Sequence, residues 1–131
     1  MSRMWILVIL LTAACGAPEP ATPGPQGTEG ADVVEVRLTC ATGDPQAPCA
    51  FRPAEVSIRV GGMVRWINDD ATYHTVTASD RIDLRVPSGR FDAVLDEAAE
   101  TFSHTFTEPG TYAYYCQPHA EFMAGVVKVD Q

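Results

Sequence analysis

The stretch "ETFSHTFTEPGTYAYYCQPHAEFMAGVVKV", residues 100–129, holds three short β-patterned segments and the signals that separate them. Residues 100–106 alternate aromatic rings with small polar side chains, the period-two pattern of a half-buried strand. Glu-Pro-Gly at 108–110 is a turn signal, and residues 111–116 and 125–129 are rich in the aromatic and β-branched residues that strands favour. The stretch therefore predicts three consecutive strands with a short loop between the last two.

The residues before this stretch carry the same signature. Residues 54–60 alternate apolar with polar side chains, so that Val56, Ile58 and Val60 are expected to face the core. Gly61 and Gly62 then form a turn signal. Further strands are predicted at residues 32–38, 63–68 and 73–78.

The least regular segment is residues 80–99, where we expect a short strand, a loop and one helical turn near Asp96 to Ala99. Short strands with turn signals about every ten residues are typical of an all-β fold. The sequence predicts an antiparallel β-sandwich or barrel.

The first fourteen residues have the pattern of a secretory signal peptide. Arg3 precedes an apolar run from Met4 to Leu11, and small residues follow. The apolar run is too short to span a bilayer, which takes about 17 to 25 residues. Residues 1–14 are therefore predicted to be removed on export.

The small residues end at Cys15, and "LTAAC" resembles the lipobox of bacterial lipoproteins, whose cysteine becomes the mature N-terminus and carries lipid. Thr12 stands where that motif most often has Leu, and ordinary signal cleavage near Ala14 is the alternative. We expect an exported protein, periplasmic or on the cell surface, held at the membrane through lipid on Cys15.

Residues 15–30 read as a tether, because they are rich in proline and glycine and carry no large apolar side chain that could build a core. The folded domain is predicted over residues 31–131.

The formal net charge of the chain is −8. A net-negative surface argues against a nucleic-acid partner, which needs a basic stripe, and is compatible with docking to a positively charged protein.

The four cysteines have different surroundings. Cys40 and Cys49 flank a short loop rich in Gly and Pro, and in an exported chain a disulfide closing this loop is the natural interpretation. Two free thiols are the alternative. Cys116 then has no cysteine partner and needs another explanation.

Cys116, His119 and Met123 lie on the one loop between the last two predicted strands. Thiolate, imidazole and a weak thioether suit a copper ion that changes between Cu(I) and Cu(II). Such a site needs a second imidazole, for which His74 is the candidate. His104 lies in the middle of a predicted strand and is expected to pack at the edge of the core.

Two long segments at this point resemble a known family. Residues 51–77, with "VRWINDDATYHTVT" at their end, and residues 100–129 resemble the corresponding parts of type 1 blue-copper proteins, the cupredoxins of the plastocyanin and amicyanin kind. The resemblance extends over residues 32–130. It implies a Greek-key β-sandwich and one bound copper ion.

The resemblance also implies the ligand set: His74, Cys116 and His119 as strong ligands and Met123 as a long axial ligand. Three residues separate His119 from Met123, whereas related loops with two residues between Cys and His usually have two or four there. The strength of the Met123 bond is therefore left open.

The function implied is one-electron transfer between redox partners outside the cytoplasmic membrane, by a monomer that is not an enzyme. We expect a protein partner to dock near His119.

Tyr115 is either a second docking route or a packed residue of the sandwich. A copper-binding or copper-handling protein without electron transfer is the alternative. An oxidase or reductase centre would need more histidines than the three in the chain.

Overall fold

The computed structural model describes residues 32–40 and 49–131. The predicted signal peptide at 1–14, the proposed lipid site at Cys15 and the tether at 15–30 lie outside these described residues.

Within the described residues, nine strands form two sheets. The strands are β1 (Val33–Thr39), β2 (Ala50–Arg52), β3 (Glu55–Arg59), β4 (Met63–Asn68), β5 (His74–Ser79), β6 (Pro87–Leu95), β7 (Thr101–Thr105), β8 (Gly110–Tyr115) and β9 (Ala124–Asp130). One sheet has the order β2-β1-β4-β7, and the other has the order β3-β9-β8-β5-β6. The predicted all-β class is confirmed.

Both sheets are mixed, whereas the sequence analysis expected antiparallel pairing throughout. β1 pairs parallel with β4, and β3 pairs parallel with β9. The strands of each parallel pair are not consecutive in the chain, and the chain crosses to the other sheet between them. A parallel pair needs such a crossover, because a tight hairpin can join only antiparallel neighbours.

The strand expected within residues 80–99 is present as β6, but with nine residues it is longer than predicted. It pairs with β5 across an irregularity between Thr77 and Ser79. The prediction of a helical turn near Asp96 to Ala99 is wrong. These residues form a non-helical turn, in which Ala99 has a φ of 67°. The three-residue strand β2 was also not predicted.

In the described part of the chain, no helix is long and apolar enough to cross a membrane.

The core lies between the two sheets and is centred on Trp66, which is fully buried. The rings of Phe91, Phe102 and Tyr114 have centroids 5.3 to 5.7 Å from that of Trp66. Burying one large apolar side chain contributes about 1.5 to 3 kcal/mol, so this aromatic cluster stabilises the packing of one sheet on the other.

The alternation predicted in β3 is confirmed for Val56 and Ile58, which are buried. It is wrong for Val60, which is 42% exposed. β3 ends at Arg59, and the chain turns at Gly61, whose φ of 88° lies in the left-handed region that glycine adopts without strain. Val60 therefore belongs to the turn.

One end of the second sheet brings three chain segments together. β5 begins at His74, β8 ends immediately before Cys116, and β9 begins immediately after Met123. Tyr115 pairs with Ala124, which closes the base of the loop at residues 116–123. Because β5 pairs with β8, the start of β5 lies beside this loop.

Candidate metal centre

The loop at residues 116–123, which we call the ligand loop, is braced by its own backbone. The N–H of Cys116 donates to the carbonyl of Met123 at 3.0 Å, and the N–H of Met123 donates to the carbonyl of His119 at 2.9 Å. The N–H of His119 donates in turn to the carbonyl of Cys116 at 3.2 Å. These bonds join the three predicted ligand residues of the loop to one another, so their backbone positions are mutually fixed.

Three of the four predicted ligand side chains converge on one point. Sγ of Cys116 lies 3.4 Å from Nδ1 of His119 and 3.7 Å from Nδ1 of His74. The candidate ligand atoms of all three residues lie within 4.8 Å of one another. A metal bound about 2.3 Å from a thiolate and about 2.0 Å from an imidazole at a near-tetrahedral angle separates the two donors by about 3.5 Å. The arrangement therefore fits a single metal ion.

Met123 is the last residue of the ligand loop. Its side chain is fully buried and belongs to the hydrophobic core, while its backbone is bonded to both Cys116 and His119. A buried thioether next to the three donors is compatible with a weak axial ligand. The axial role of Met123 stays a prediction.

The sulfur of Cys116 is fully buried and has a polar contact from β5. The backbone N–H of Thr75 donates to Sγ at 3.3 Å. Burial raises the pKa of the Cys116 thiol, and the hydrogen bond from Thr75 acts in the opposite direction. A metal cation in contact with the sulfur would supply the positive charge that favours the thiolate.

His74 is fully buried, and its outer nitrogen faces a carboxylate. Oδ1 of Asp70 lies 3.5 Å from Nε2 of His74. Burial lowers the pKa of His74, although the charge of Asp70 opposes this, and a neutral ring is the form that binds metal. A carboxylate partner of this kind fixes the orientation and tautomer of a ligand histidine.

Asp70 is itself held by the backbone. It accepts hydrogen bonds from the N–H of Cys40 at 2.8 Å and from the N–H of Thr72 at 2.7 Å. Burial acts against ionisation, but these bonds lower the pKa of Asp70 below its ordinary value. Asp70 is not among the site residues predicted from the sequence; the available signal was a carboxylate four residues before the candidate histidine.

The predicted disulfide between Cys40 and Cys49 is present. Its sulfurs lie against the outer edges of the two histidines: Sγ of Cys40 is 3.7 Å from Nε2 of His74, and Sγ of Cys49 is 3.9 Å from Nε2 of His119. From the sequence this bridge is predicted only to close a loop, because the spacing of two cysteines does not show which other segment lies beside them.

His104 lies away from the cluster, as predicted. Its ring packs with centroid distances of 4.8 Å to both Phe91 and Phe106.

Tyr115 is only 3% exposed, and the guanidinium of Arg85 lies over its ring at 5.9 Å from the centroid. The structure therefore favours the packing role of Tyr115 over an exposed docking role.

Comparison with known proteins agrees with this geometry. The family model of copper-binding proteins of the plastocyanin/azurin family matches residues 38–130. Chloroplastic plastocyanin of Physcomitrium patens is 33% identical over 98 residues, which cover 70% of this chain and 56% of the relative. Amicyanin of Paracoccus denitrificans is 33% identical over 84 residues, which cover 64% of this chain and 61% of the relative. The chain thus spans little more than half the length of these two proteins.

Among solved structures, the purple cupredoxin from Nitrosopumilus maritimus superimposes with a TM-score of 0.60 at 27% identity, covering 74% of this chain and 99% of that one. The two mixed sheets and the buried Cys-His cluster define a cupredoxin. The chain belongs to the plastocyanin/azurin family of copper-binding proteins, and its metal is copper.

Proposed function

We propose that this protein is a one-electron carrier that holds a single copper ion through His74, Cys116, His119 and Met123. The observation that carries the proposal is the convergence of the Cys116 sulfur and both histidine Nδ1 atoms. They meet at the end of the second sheet where the ligand loop joins β8 to β9. When bound, copper supplies the exchange of one electron between its Cu(I) and Cu(II) states. The same copper site without electron transfer, a copper-handling function, is the competing possibility.

Electron transfer requires that the donor atoms move little between the two copper states, and the chain is built to hold them. The ladder pair of Tyr115 with Ala124 closes the ligand loop at its base. The backbone bonds within the loop fix Cys116 relative to His119 and Met123. A rigid, water-poor surround of this kind limits rearrangement around the metal.

We propose that a redox protein docks around His119, the one ligand of the four that is partly exposed. The ring of Phe122, which is 51% exposed, lies with its centroid 5.8 Å from that of His119. Exposed apolar surface next to the most accessible ligand suits the small, transient contacts of redox pairs. The acidic chain favours a partner with a positively charged rim.

We further propose that the protein is an exported lipoprotein with its domain at residues 31–131 on a tether of residues 15–30. The support is the signal pattern of residues 1–14 and the lipobox-like run that ends at Cys15. Membrane fractionation of the wild type against Cys15→Ala tests the anchor. Light scattering of the purified chain tests the expectation of a monomer.

The copper centre is tested by adding Cu(II) to the mature chain and recording its visible and electron paramagnetic resonance spectra. We expect the intense absorption of a copper–thiolate bond, its loss in Cys116→Ala, and its retention in the matched control His104→Gln. Bound copper without this absorption in the wild type would favour copper handling. Electron self-exchange between the Cu(I) and Cu(II) proteins, followed by NMR line broadening, then tests the carrier function itself.

A further inference from the structure

The disulfide lies across the far side of both candidate histidine ligands. His74 and His119 direct Nδ1 towards the Cys116 sulfur, so their Nε2 atoms point away from the centre. One sulfur of the Cys40–Cys49 bridge lies within 3.9 Å of each of these Nε2 atoms. Both imidazole rings thus lie between the candidate metal position and a single covalent bridge.

The bridge connects the site to the opposite sheet. Cys40 follows β1 and Cys49 precedes β2, both in the first sheet, whereas the ligand loop and His74 belong to the second. Cys49 is buried and Cys40 is partly buried against the core. The disulfide therefore packs the edge of one sheet onto the metal-binding end of the other.

The two histidines depend on this bridge to different degrees. Nε2 of His74 also faces Oδ1 of Asp70, at 3.5 Å. For Nε2 of His119, the contact found within the described residues is the sulfur of Cys49 at 3.9 Å. His119 is also the more exposed of the two rings, so loss of the bridge would admit water to its outer edge first.

We propose that the Cys40–Cys49 disulfide is a positioning element of the copper centre, which holds both histidine rings against the metal and shields their outer edges from water. This inference rests on the proposed ligand set. Partners that contact the far nitrogen of a ligand histidine change metal affinity by about 10- to 100-fold when removed. A disulfide that only closed its loop would instead lower the melting temperature when removed, without a specific effect on copper release.

The test compares the wild type with Cys40→Ser/Cys49→Ser and with the matched control Ile58→Ala. Ile58 is buried in β3, next to Val129 at the end of β9 that is remote from the ligand loop, so its truncation lowers stability without touching a histidine. For each protein we would measure the melting temperature, the release of Cu(I) to a competing chelator, the Cu(II) paramagnetic resonance spectrum and the reduction potential.

We expect the double serine variant to release Cu(I) about tenfold faster than the wild type or more, with an altered Cu(II) spectrum and potential. Ile58→Ala should lower only the melting temperature. The proposal is overturned if the double variant keeps the wild-type release rate and spectra, or if release follows the melting temperature equally in both variants. A wild type that shows no copper–thiolate absorption at all would instead refute the proposed function.

A second measurement avoids refolding of a variant. The folded wild type in its Cu(I) form is treated with a water-soluble phosphine, which cleaves the S–S bond to two thiols and becomes the phosphine oxide with oxygen from water. Since the copper is already reduced, its oxidation state does not change. Because a phosphine also binds Cu(I), it is removed by desalting before release is measured, and the double serine variant treated in the same way is the control. Faster Cu(I) release and shifted ring NMR signals of His74 and His119 after cleavage would support the proposal, and unchanged release and signals would contradict it.

Discussion

The backbone N–H of Thr75 donates to the sulfur of Cys116 at 3.3 Å, which ties the second residue of β5 to the first residue of the ligand loop. The hydroxyl of Thr75 accepts a hydrogen bond from the N–H of Gln117 at 2.8 Å. It also lies 3.0 Å from the hydroxyl of Thr77. One buried threonine thus connects two consecutive loop residues to the neighbouring strand.

We expect Thr75→Val to lower the free energy of unfolding of the metal-free protein by about 1 to 3 kcal/mol, because the N–H of Gln117 loses its acceptor. The N–H that contacts the Cys116 sulfur remains, so the copper–thiolate absorption should persist. Urea unfolding checks the first effect and the Cu(II) spectrum the second. Thr101→Val, at an exposed position of β7, is the control, and equal losses in both variants would contradict the role given to Thr75.

Asp70 places a negative charge beside the outer edge of His74, with 3.5 Å between Oδ1 and Nε2. We expect Asp70→Asn to raise the reduction potential, because a nearby carboxylate stabilises the more positive Cu(II) state more than the Cu(I) state. Copper should also dissociate faster, since the ring loses an orienting partner. A redox titration with a series of mediators measures the change in potential.

The control for Asp70→Asn is the neighbouring Asp69→Asn. Asp69 pairs with Arg37 at 2.7 Å on the surface and, in the part of the chain that the structure describes, has no polar side-chain contact with a candidate ligand. If both variants raised the potential equally, the effect would come from overall charge and the positioning role of Asp70 would be refuted.

Arg85 fastens the ligand loop from outside. Its Nε donates to the carbonyl of Ala120 at 2.7 Å, and its guanidinium lies over the ring of Tyr115. We expect Arg85→Gln to speed hydrogen exchange of the backbone amides of residues 117 and 119–123 in the metal-free protein, because local opening of the loop becomes less costly. Arg81→Gln, which disrupts an exposed pair with Asp83, should leave these amides unchanged. Identical exchange in the two variants would show that Arg85 does not fasten the loop.

Much of the site could be predicted because its information is local in the sequence. Cys116, His119 and Met123 share eight residues between two recognisable strands, and the family resemblance then selects His74. The contacts of Thr75 and Asp70 with this cluster come from strand pairing and from a loop conformation. Neither strand pairing nor this loop conformation produces a periodic pattern of residue types in the sequence.

β6 is longer than the short strand expected in residues 80–99, and its length could not be predicted for a comparable physical reason. It lies at the edge of its sheet, and within it Gly89 adopts a φ of 77°, so the regular alternation of buried and exposed side chains is lost in its first half. Its inward residues include Phe91 and Leu95, but Val94 is 48% exposed. An edge strand that buries few residues carries little of the pattern on which strand prediction depends.

His104 gives the protein a pH dependence that is separate from the copper ligands. Burial lowers its pKa below the usual 6.5, so the unfolded chain binds a proton more readily than the folded one. The stability that neutral His104 contributes is therefore complete above pH 6.5 and is lost as the pH falls through the folded value. His104 lines a surface cleft together with the charged or titratable side chains of Arg90, Glu108 and Tyr112.

We expect His104→Phe to weaken this loss, so that the variant gains stability relative to the wild type as the pH falls from about 7.5 to about 5. Urea unfolding of the metal-free proteins at a series of pH values measures the difference. His74 and the charged groups of the cleft are the same in both proteins, so their contributions largely cancel. His104→Gln is a second neutral variant of different shape: it should show a different constant offset from the wild type but the same dependence on pH. Unfolding free energies that run parallel for wild type and both variants would show that His104 takes up no proton on unfolding in this range.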